Sequence, residues 1–349
     1  MKNPFNIMYG MIPASLVNRN DAFDKIMSSF QNDDTIAASF IITGIRGSGK
    51  TVLLRGISKE LSKKEDWIVI DLNPQGDLVS SLAEKLYDEI KRSKLPFDLS
   101  LDLTLPNVTF HISKKKESLS AENAIPHLLD ALRSKNKRML ITIDEVNQTR
   151  SFRFFANLYQ NLIGNDYPVF LLMTGLYENV DSLISDKAAS FLARCPKVTL
   201  NPLNLISVSK MYQKELGAAQ EEANNLAKLS KGYAFAYQVI GKICFEKQKT
   251  AIDENLLNDM DSYLSENGYS VIWKGMTEGE KKICLAIAKA ETDSTAEIVK
   301  KSGLKIGNFN NFRARMIYKG YLVSNAYGKL AFSLPRFKEY VLSIEPFII

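Results

Sequence analysis

At 349 residues, 45% hydrophobic and 24% charged, the chain has the composition of a globular protein of two or three domains. No run of about 18 apolar residues predicts a membrane span, and the start Met1-Lys2-Asn3-Pro4-Phe5 lacks the apolar core of a signal peptide. Three scattered cysteines (Cys195, Cys244, Cys284) and two histidines (His111, His127) argue against a disulfide framework, a zinc pattern and histidine-based triad chemistry, and predict reduced thiols in a cytoplasm.

A loop-rich entry through Tyr9-Gly10-Met11-Ile12-Pro13 leads to a helix capped by Asn20 or Asp21 and running through Phe30. Phe40-Ile41-Ile42-Thr43 is a short apolar run with the pattern of a buried strand. Then comes Gly44-Ile45-Arg46-Gly47-Ser48-Gly49-Lys50-Thr51, a complete G-x-x-x-x-G-K-S/T phosphate-binding loop, with apolar residues at helical spacing through Leu61 after it. Strand, glycine loop and helix are the setting this motif needs. The glycines let backbone N–H groups curl around phosphates, and the helix N-terminus adds partial positive charge. Lys50 is placed to reach the β- and γ-phosphates of ATP, and Thr51 to ligate Mg2+. The cofactor-binding set read from the loop is Gly44, Arg46, Gly47, Ser48, Gly49, Lys50, Thr51 and Val52.

Trp67 to Asn73 is a second β-like run, stopped by Pro74, and Leu78, Leu82, Leu86 and Ile90 predict an amphipathic helix over 77–92. Between about 95 and 120, Leu101, Leu103 and Leu105 alternate, then Val108, Phe110 and Ile112, around Pro106-Asn107. This predicts an inserted β-hairpin, followed by the basic run Lys114-Lys115-Lys116. It reads either as a solvated arm or as a contact to nucleic acid or a neighbouring subunit. A helix at 120–134, in which His127 falls, leads to Met139-Leu140-Ile141-Thr142-Ile143, a strand ending in Asp144-Glu145. Asp144 would hold Mg2+ through water, and Glu145 would orient and polarise the attacking water. The adjacent glutamate suits hydrolysis, whereas Asp alone suits a binding switch.

A helix at 150–163 and a strand at 169–174 continue the alternation, which implies an α/β fold with a doubly wound, mostly parallel sheet. After about residue 200 the strand signals stop. Residues 205–247 read as a small helical domain with Gly232 as a C-cap between helices, and 253–268 as one more helix.

Of the net charge of +6, +5 falls within Thr277–Ile349, which holds 12 Lys/Arg against 7 Asp/Glu. Thr277-Glu278-Gly279-Glu280 opens a helix with a cap and an acidic first turn. Ser294 to Ser302 is a second helix, Gly303-Leu304-Lys305 a tight turn, and Asn308 to Lys319 a third helix. Tyr321-Leu322-Val323 and Leu330 to Leu334 flank the turn Asn325-Ala326-Tyr327-Gly328. Three helices and a hairpin make a winged helix-turn-helix. Asn308, Asn310, Asn311, Arg313 and Arg315 have the chemistry that reads base edges, and Lys305 and Lys319 that of phosphate contacts. Winged helices also dock proteins, and the charge alone does not choose.

These motifs together resemble the AAA+ ATPases, and within them the origin-recognition/initiator-like ATPases, over nearly the whole chain. The resemblance implies a nucleotide-binding domain at 1–203, a helical lid at 204–270 and a winged helix at 271–349, with ATP or ADP and Mg2+ as ligands. It implies that Thr174, ending the 169–174 strand, is a polar sensor of the γ-phosphate, and that Asn73 restrains the catalytic glutamate. Arg194, in Phe191-Leu192-Ala193-Arg194-Cys195-Pro196, falls where the family often has an arginine reaching a neighbouring subunit's nucleotide, so that ATP would drive homo-oligomer assembly. Arg19 and the loop around Tyr9-Gly10 fall where the family encloses adenine. The lid start Gly232-Tyr233-Ala234-Phe235 matches, but the second-sensor arginine expected nearby is missing, which implies slow turnover. The expectation is a slow ATPase coupling nucleotide state to DNA binding. The alternatives are a nucleotide switch whose winged helix docks protein, and a target-selecting ATPase of a mobile element or defence system.

Overall fold

The chain divides into two units in a computed structural model that describes residues 2–8, 10–17, 19–32, 37–93, 95, 104–105, 108–109 and 120–347. Residues 20–43 and 50–199 form the sheet unit, and residues 1–19, 44–49 and 200–349 form the C-terminal unit.

In chain order the sheet unit has α1 (Asn20–Gln31), β1 (Ser39–Thr43), α2 (Lys50–Leu61), β2 (Trp67–Leu72) and α3 (Leu78–Arg92). The short strands β3 (Thr104–Leu105) and β4 (Val108–Thr109) follow, then α4 (Ala121–Arg133), β5 (Arg138–Ile143), α5 (Arg150–Gly164), β6 (Val169–Gly175), α6 (Tyr177–Ile184) and β7 (Lys197–Thr199). Five strands pair in the order β2-β5-β6-β1-β7, every pairing parallel. This is the doubly wound α/β sheet that the alternation predicts.

Period-2 alternation sorts the strand side chains onto two faces. Ile41, Ile68, Ile70, Met139, Ile141, Leu171 and Met173 join the core formed with α3, α4 and α5. Phe40, Trp67 and Phe170 on the opposite face close around Phe30 of α1, with ring centroids 5.5, 6.4 and 5.3 Å from it. The sheet is thereby covered on both sides, as parallel sheets require.

The expected hairpin is present as the antiparallel pair β3–β4, with Leu105 opposite Val108. The rest of that segment, including Lys114-Lys115-Lys116, lies outside the described residues, as does Tyr9. Two elements escape the hydropathy pattern. These are α6, which is eight residues long, and the three-residue edge strand β7.

The C-terminal unit contains α7 (Leu205–Leu216), α8 (Gln220–Ser230), α9 (Ala234–Lys247), α10 (Glu254–Leu264) and α11 (Ser270–Gly275). Beyond these lie α12 (Glu278–Lys289), α13 (Thr295–Ser302), α14 (Ile306–Tyr318), the strands β8 (Leu322–Val323) and β9 (Ala331–Phe332), and α15 (Phe337–Ile344). The helix expected over 253–268 begins as α10, passes through a π-turn at Ser265–Tyr269 and runs on as α11. The helices α12, α13 and α14 and the antiparallel β8–β9 hairpin have the element order of a winged helix, and Ser294 adds a bridge to Lys329 of the hairpin.

One hydrophobic core runs from Val208 and Tyr237 through Tyr269 to Ile283 and Phe337, so α7–α10 share an interior with α12–α15. Arg336 forks onto the Asp261 carboxylate, Nη2 at 2.5 Å and Nε on the other oxygen, and Tyr269 Oη donates to the Pro335 carbonyl. Residues 2–8 and 10–17 join the same body. Phe5 packs on Tyr212 and Tyr237, and Tyr237 Oη donates to Ser15 O at 2.8 Å. The three cysteines are free and buried, and burial pushes the Cys195 thiol up to about 11 and the Cys244 thiol up to about 12. Such thiols stay protonated at neutral pH, which fits structural and not nucleophilic roles.

Candidate nucleotide-binding site

The loop Gly44–Gly49 runs without a break into α2 at Lys50. Gly47 and Gly49 have φ of +74° and +93°, backbone that favours glycine, so the glycine spacing of the motif is a conformational requirement. Lys50 and Thr51 occupy the first turn of α2, with Lys50 buried and Val52 half-buried behind them. Ser48 is buried, and its Oγ has no hydrogen-bond partner among the described residues. An orphaned hydroxyl in a loop of this kind suits a phosphate oxygen.

Within the sheet unit, the side chains at the ends of β5 and β6 converge. Thr51 Oγ1 donates to Asp144 Oδ2 at 2.8 Å, across 93 residues of sequence. Thr174 Oγ1 donates to Asp144 Oδ1 at 2.5 Å and accepts the backbone N–H of Glu145 at 2.9 Å. Parallel register produces this. Thr174 is the sixth residue of β6, and β6 runs beside β5 with Ile143 opposite Met173. Thr174 is fully buried, whereas the Glu145 side chain is exposed.

Thr51 and Asp144 supply one hydroxyl and one carboxylate. No group of three or more His, Cys, Asp or Glu able to hold a metal occurs among the described residues. That donor set fits Mg2+, which keeps several waters and takes the rest of its shell from phosphate. Lys50, Thr51 and the loop N–H groups fit a nucleoside triphosphate.

The other positions fall as follows. Asn73 is exposed, and its Oδ1 accepts the N–H of Gln75 at 3.0 Å within its own turn. Arg194 is exposed and has no ion pair among the described residues. Arg19 is half-buried and grips backbone. Its Nη2 donates to Ser48 O at 2.8 Å and its Nη1 to Asn201 O at 2.5 Å. Burial pushes the Arg19 guanidinium down to about 10, still charged at neutral pH.

The aromatic start of α9 also touches the loop. Tyr233 Oη donates to Arg46 O at 2.8 Å, and Phe235 N–H to Gly47 O at 3.1 Å. A Cβ on Gly47 would lie 2.4 Å from Tyr233 Oη, so any other residue there would displace the tyrosine. On the same loop, Ile45 Cγ2 lies 3.0 Å from where a Cβ on Gly320, just after α14, would stand. Arg19, Tyr233, Phe235 and Gly320 therefore hold the loop from within the C-terminal unit. The glycine-aromatic pattern at 232–235 was visible in the sequence, but its partner was not.

On α14, Lys305, Asn308, Asn310 and Asn311 are exposed. Arg313 is half-buried, with Nη2 3.4 Å from Ser324 Oγ. Arg315, from an exposed position, and buried Lys319 both pair with Glu280. Arg315 Nε and Lys319 Nζ donate to Glu280 Oε1 at 3.0 and 3.2 Å, and both Glu280 and Lys319 are buried. Arg315 Nη2 also reaches Thr277 Oγ1 at 3.1 Å. The outward set is thus carried by the amides and Lys305.

Residues 35–184 match the sequence family described as AAA domain, and residues 266–341 match one described as a domain of unknown function, DUF8462. No curated protein matches the chain in sequence. Among solved structures, a Walker-type ATPase of Pyrococcus abyssi superposes with a TM-score of 0.66 at 16% identity, covering 94% of this chain and 96% of that one. The ORC2 protein of Aeropyrum pernix, solved as ADPNP–ADP complexes, superposes with a TM-score of 0.62 at 14% identity, covering 98% of this chain and 96% of that one. Residues 35–184 thus match an AAA domain, and the chain shares its fold with the Walker-type ATPase of Pyrococcus abyssi and the ORC2 protein of Aeropyrum pernix.

Proposed function

We propose that the chain binds ATP with Mg2+ at the Gly44–Thr51 loop, hydrolyses it slowly, and couples nucleotide state to duplex DNA binding by α14. Lys50 neutralises the β- and γ-phosphates, Thr51 and Asp144 hold Mg2+, and Thr174 senses the γ-phosphate. Glu145 takes the proton of the attacking water as it adds to the γ-phosphorus and ADP leaves. With charge spread over the transferring group, catalysis here is mostly positioning and electrostatics. Arg194, exposed and unpaired among the described residues, acts across a subunit contact when ATP assembles the protein.

The observation that carries the coupling is the double hold on the loop. Tyr233 and Phe235 bind its carbonyls, while Ile45 touches Gly320 at the end of α14. A loop that reshapes around a γ-phosphate changes both contacts. The exposed amides Asn308, Asn310 and Asn311 can pair with adenine edges, and Lys305 at the helix start can meet phosphate.

A docking role for the same helix is favoured by its two exposed apolar ends, Ile306 at 61% and Tyr318 at 50% exposure. A salt series separates the readings. Duplex binding by wild type weakens steeply with salt and falls about tenfold or more in Asn310→Ala/Asn311→Ala, as expected for lost base contacts. Absence of duplex binding at low salt with ATP, ADP and no nucleotide contradicts the DNA reading and favours docking.

A further inference from the structure

Glu145 has a φ of +58°, a left-handed backbone that a non-glycine residue holds only when its neighbours over-determine it. Both sides of the residue are held. On the N–H side, Thr174 Oγ1 accepts at 2.9 Å. On the carbonyl side, Asn147 Nδ2 donates to Glu145 O at 3.1 Å. Asn147 is held in turn, because its Oδ1 accepts Asn179 Nδ2 at 2.5 Å.

We propose that Asn147 and Asn179 are the positioning pair for the catalytic glutamate. The inference rests on the reading of Glu145 given above, and it assigns to this pair the restraint that the family resemblance gives to Asn73. Asn73 spends its side-chain oxygen on the N–H of Gln75, in its own turn. The amide pair instead reaches the Glu145 peptide itself.

The pair also links Glu145 to α6. Asn179 sits in the first turn of α6, and the adjacent Val180 packs where a Cβ on Gly175, the last residue of β6, would come within 2.7 Å. Just past the other end of α6, Asp186 accepts Arg153 Nε at 2.6 Å and Gln148 Nε2 at 2.9 Å. Both ends of α6 are thus stapled to the stretch 145–153. Arg194 lies eight residues beyond Asp186 in sequence.

The test is steady-state ATP hydrolysis by full-length wild type, Asn147→Ala, Asn179→Ala, the double variant and Glu145→Gln, with nucleotide Kd and thermal melting measured alongside. The expected result is kcat lowered about tenfold in each asparagine variant, as for lost positioning, with Kd unchanged. The double variant falls no further than the worse single one, because the two amides act as one chain. In a Glu145→Gln background, Asn147→Ala has no additional effect. Should Asn147→Ala destabilise the fold, Asn179→Ala, which leaves the Asn147–Glu145 bond in place, carries the comparison. Wild-type kcat in both single variants, beside a dead Glu145→Gln, overturns the pair alone. Wild-type kcat in Glu145→Gln removes the catalytic role of the glutamate, and the pair's role with it.

Discussion

Asp144 is the residue on which the site turns, because its two carboxylate oxygens take one hydroxyl each, Thr51 on one and Thr174 on the other. Replacing Thr174 by Val keeps the shape and removes both the donation to Asp144 and the acceptor for Glu145 N–H. Hydrolysis by Thr174→Val is expected to drop at least tenfold while ATP binding is retained, since Lys50 and the loop are untouched. Equilibrium nucleotide binding measured beside turnover checks this, and an equal loss in both would contradict a sensing role. Glu145→Gln, which removes the base and keeps the shape, is expected to cost about 10²- to 10⁴-fold in kcat with binding intact.

The loop and the Asp144-Glu145 strand end are legible in the sequence because each is a local pattern, whereas Thr174 is singled out only by the family resemblance. Asn147 and Asn179 are not legible there. Their bond joins residues 32 apart, and either asparagine alone looks like a turn residue. The same holds for Arg315 and Lys319, which read as DNA contacts on a helix. Their common partner Glu280 lies 35 and 39 residues away.

At the scale of elements, Glu280 fixes α14 against α12. It closes a capping box with Thr277 and takes two cations from α14. Burial pushes its carboxyl up, but the hydrogen bonds from Thr277 and the Lys319 charge outweigh this and hold it below the usual carboxylate range. A depressed folded value means that the stability it contributes is present above the unfolded pKa and is lost as pH falls through the folded one. Acid melting of wild type is expected to show this loss below the ordinary glutamate range, and Glu280→Gln to flatten it. At neutral pH Glu280→Gln removes the carboxylate that buried Lys319 and Arg315 share. That costs about 3 kcal/mol, the lower end for a broken buried pair because Arg315 is partly exposed. An unchanged melting curve in Glu280→Gln would remove the anchor.

The α6 helix and β7 escaped the sequence reading for a physical reason. Leu176 before α6 is not a capping residue type, whereas the equally short α13 follows Ser294, and β7 has only three residues. The longer elements, α3 with its Asp77 cap and the β-branched strands, announced themselves.

At the scale of the whole molecule, the informative grouping is that the phosphate loop belongs with the C-terminal unit while α2, which it starts, belongs with the sheet. The sequence places the loop, but not what touches its carbonyls. Tyr233→Phe deletes the hydroxyl on Arg46 O and little else. If that contact transmits nucleotide state, the variant is expected to hydrolyse ATP near the wild-type rate while losing nucleotide control of the winged helix.

The most direct measurement is fluorescence anisotropy of a labelled duplex with full-length protein, comparing ATP, ADP and no nucleotide across a salt series, for wild type, Lys50→Ala and Tyr233→Phe. The account predicts salt-sensitive binding whose affinity differs between ATP and ADP in wild type, and the same affinity under all three conditions in Lys50→Ala and Tyr233→Phe. Duplex affinity in wild type that is identical with ATP, ADP and no nucleotide, while ATP is shown to bind, would contradict it.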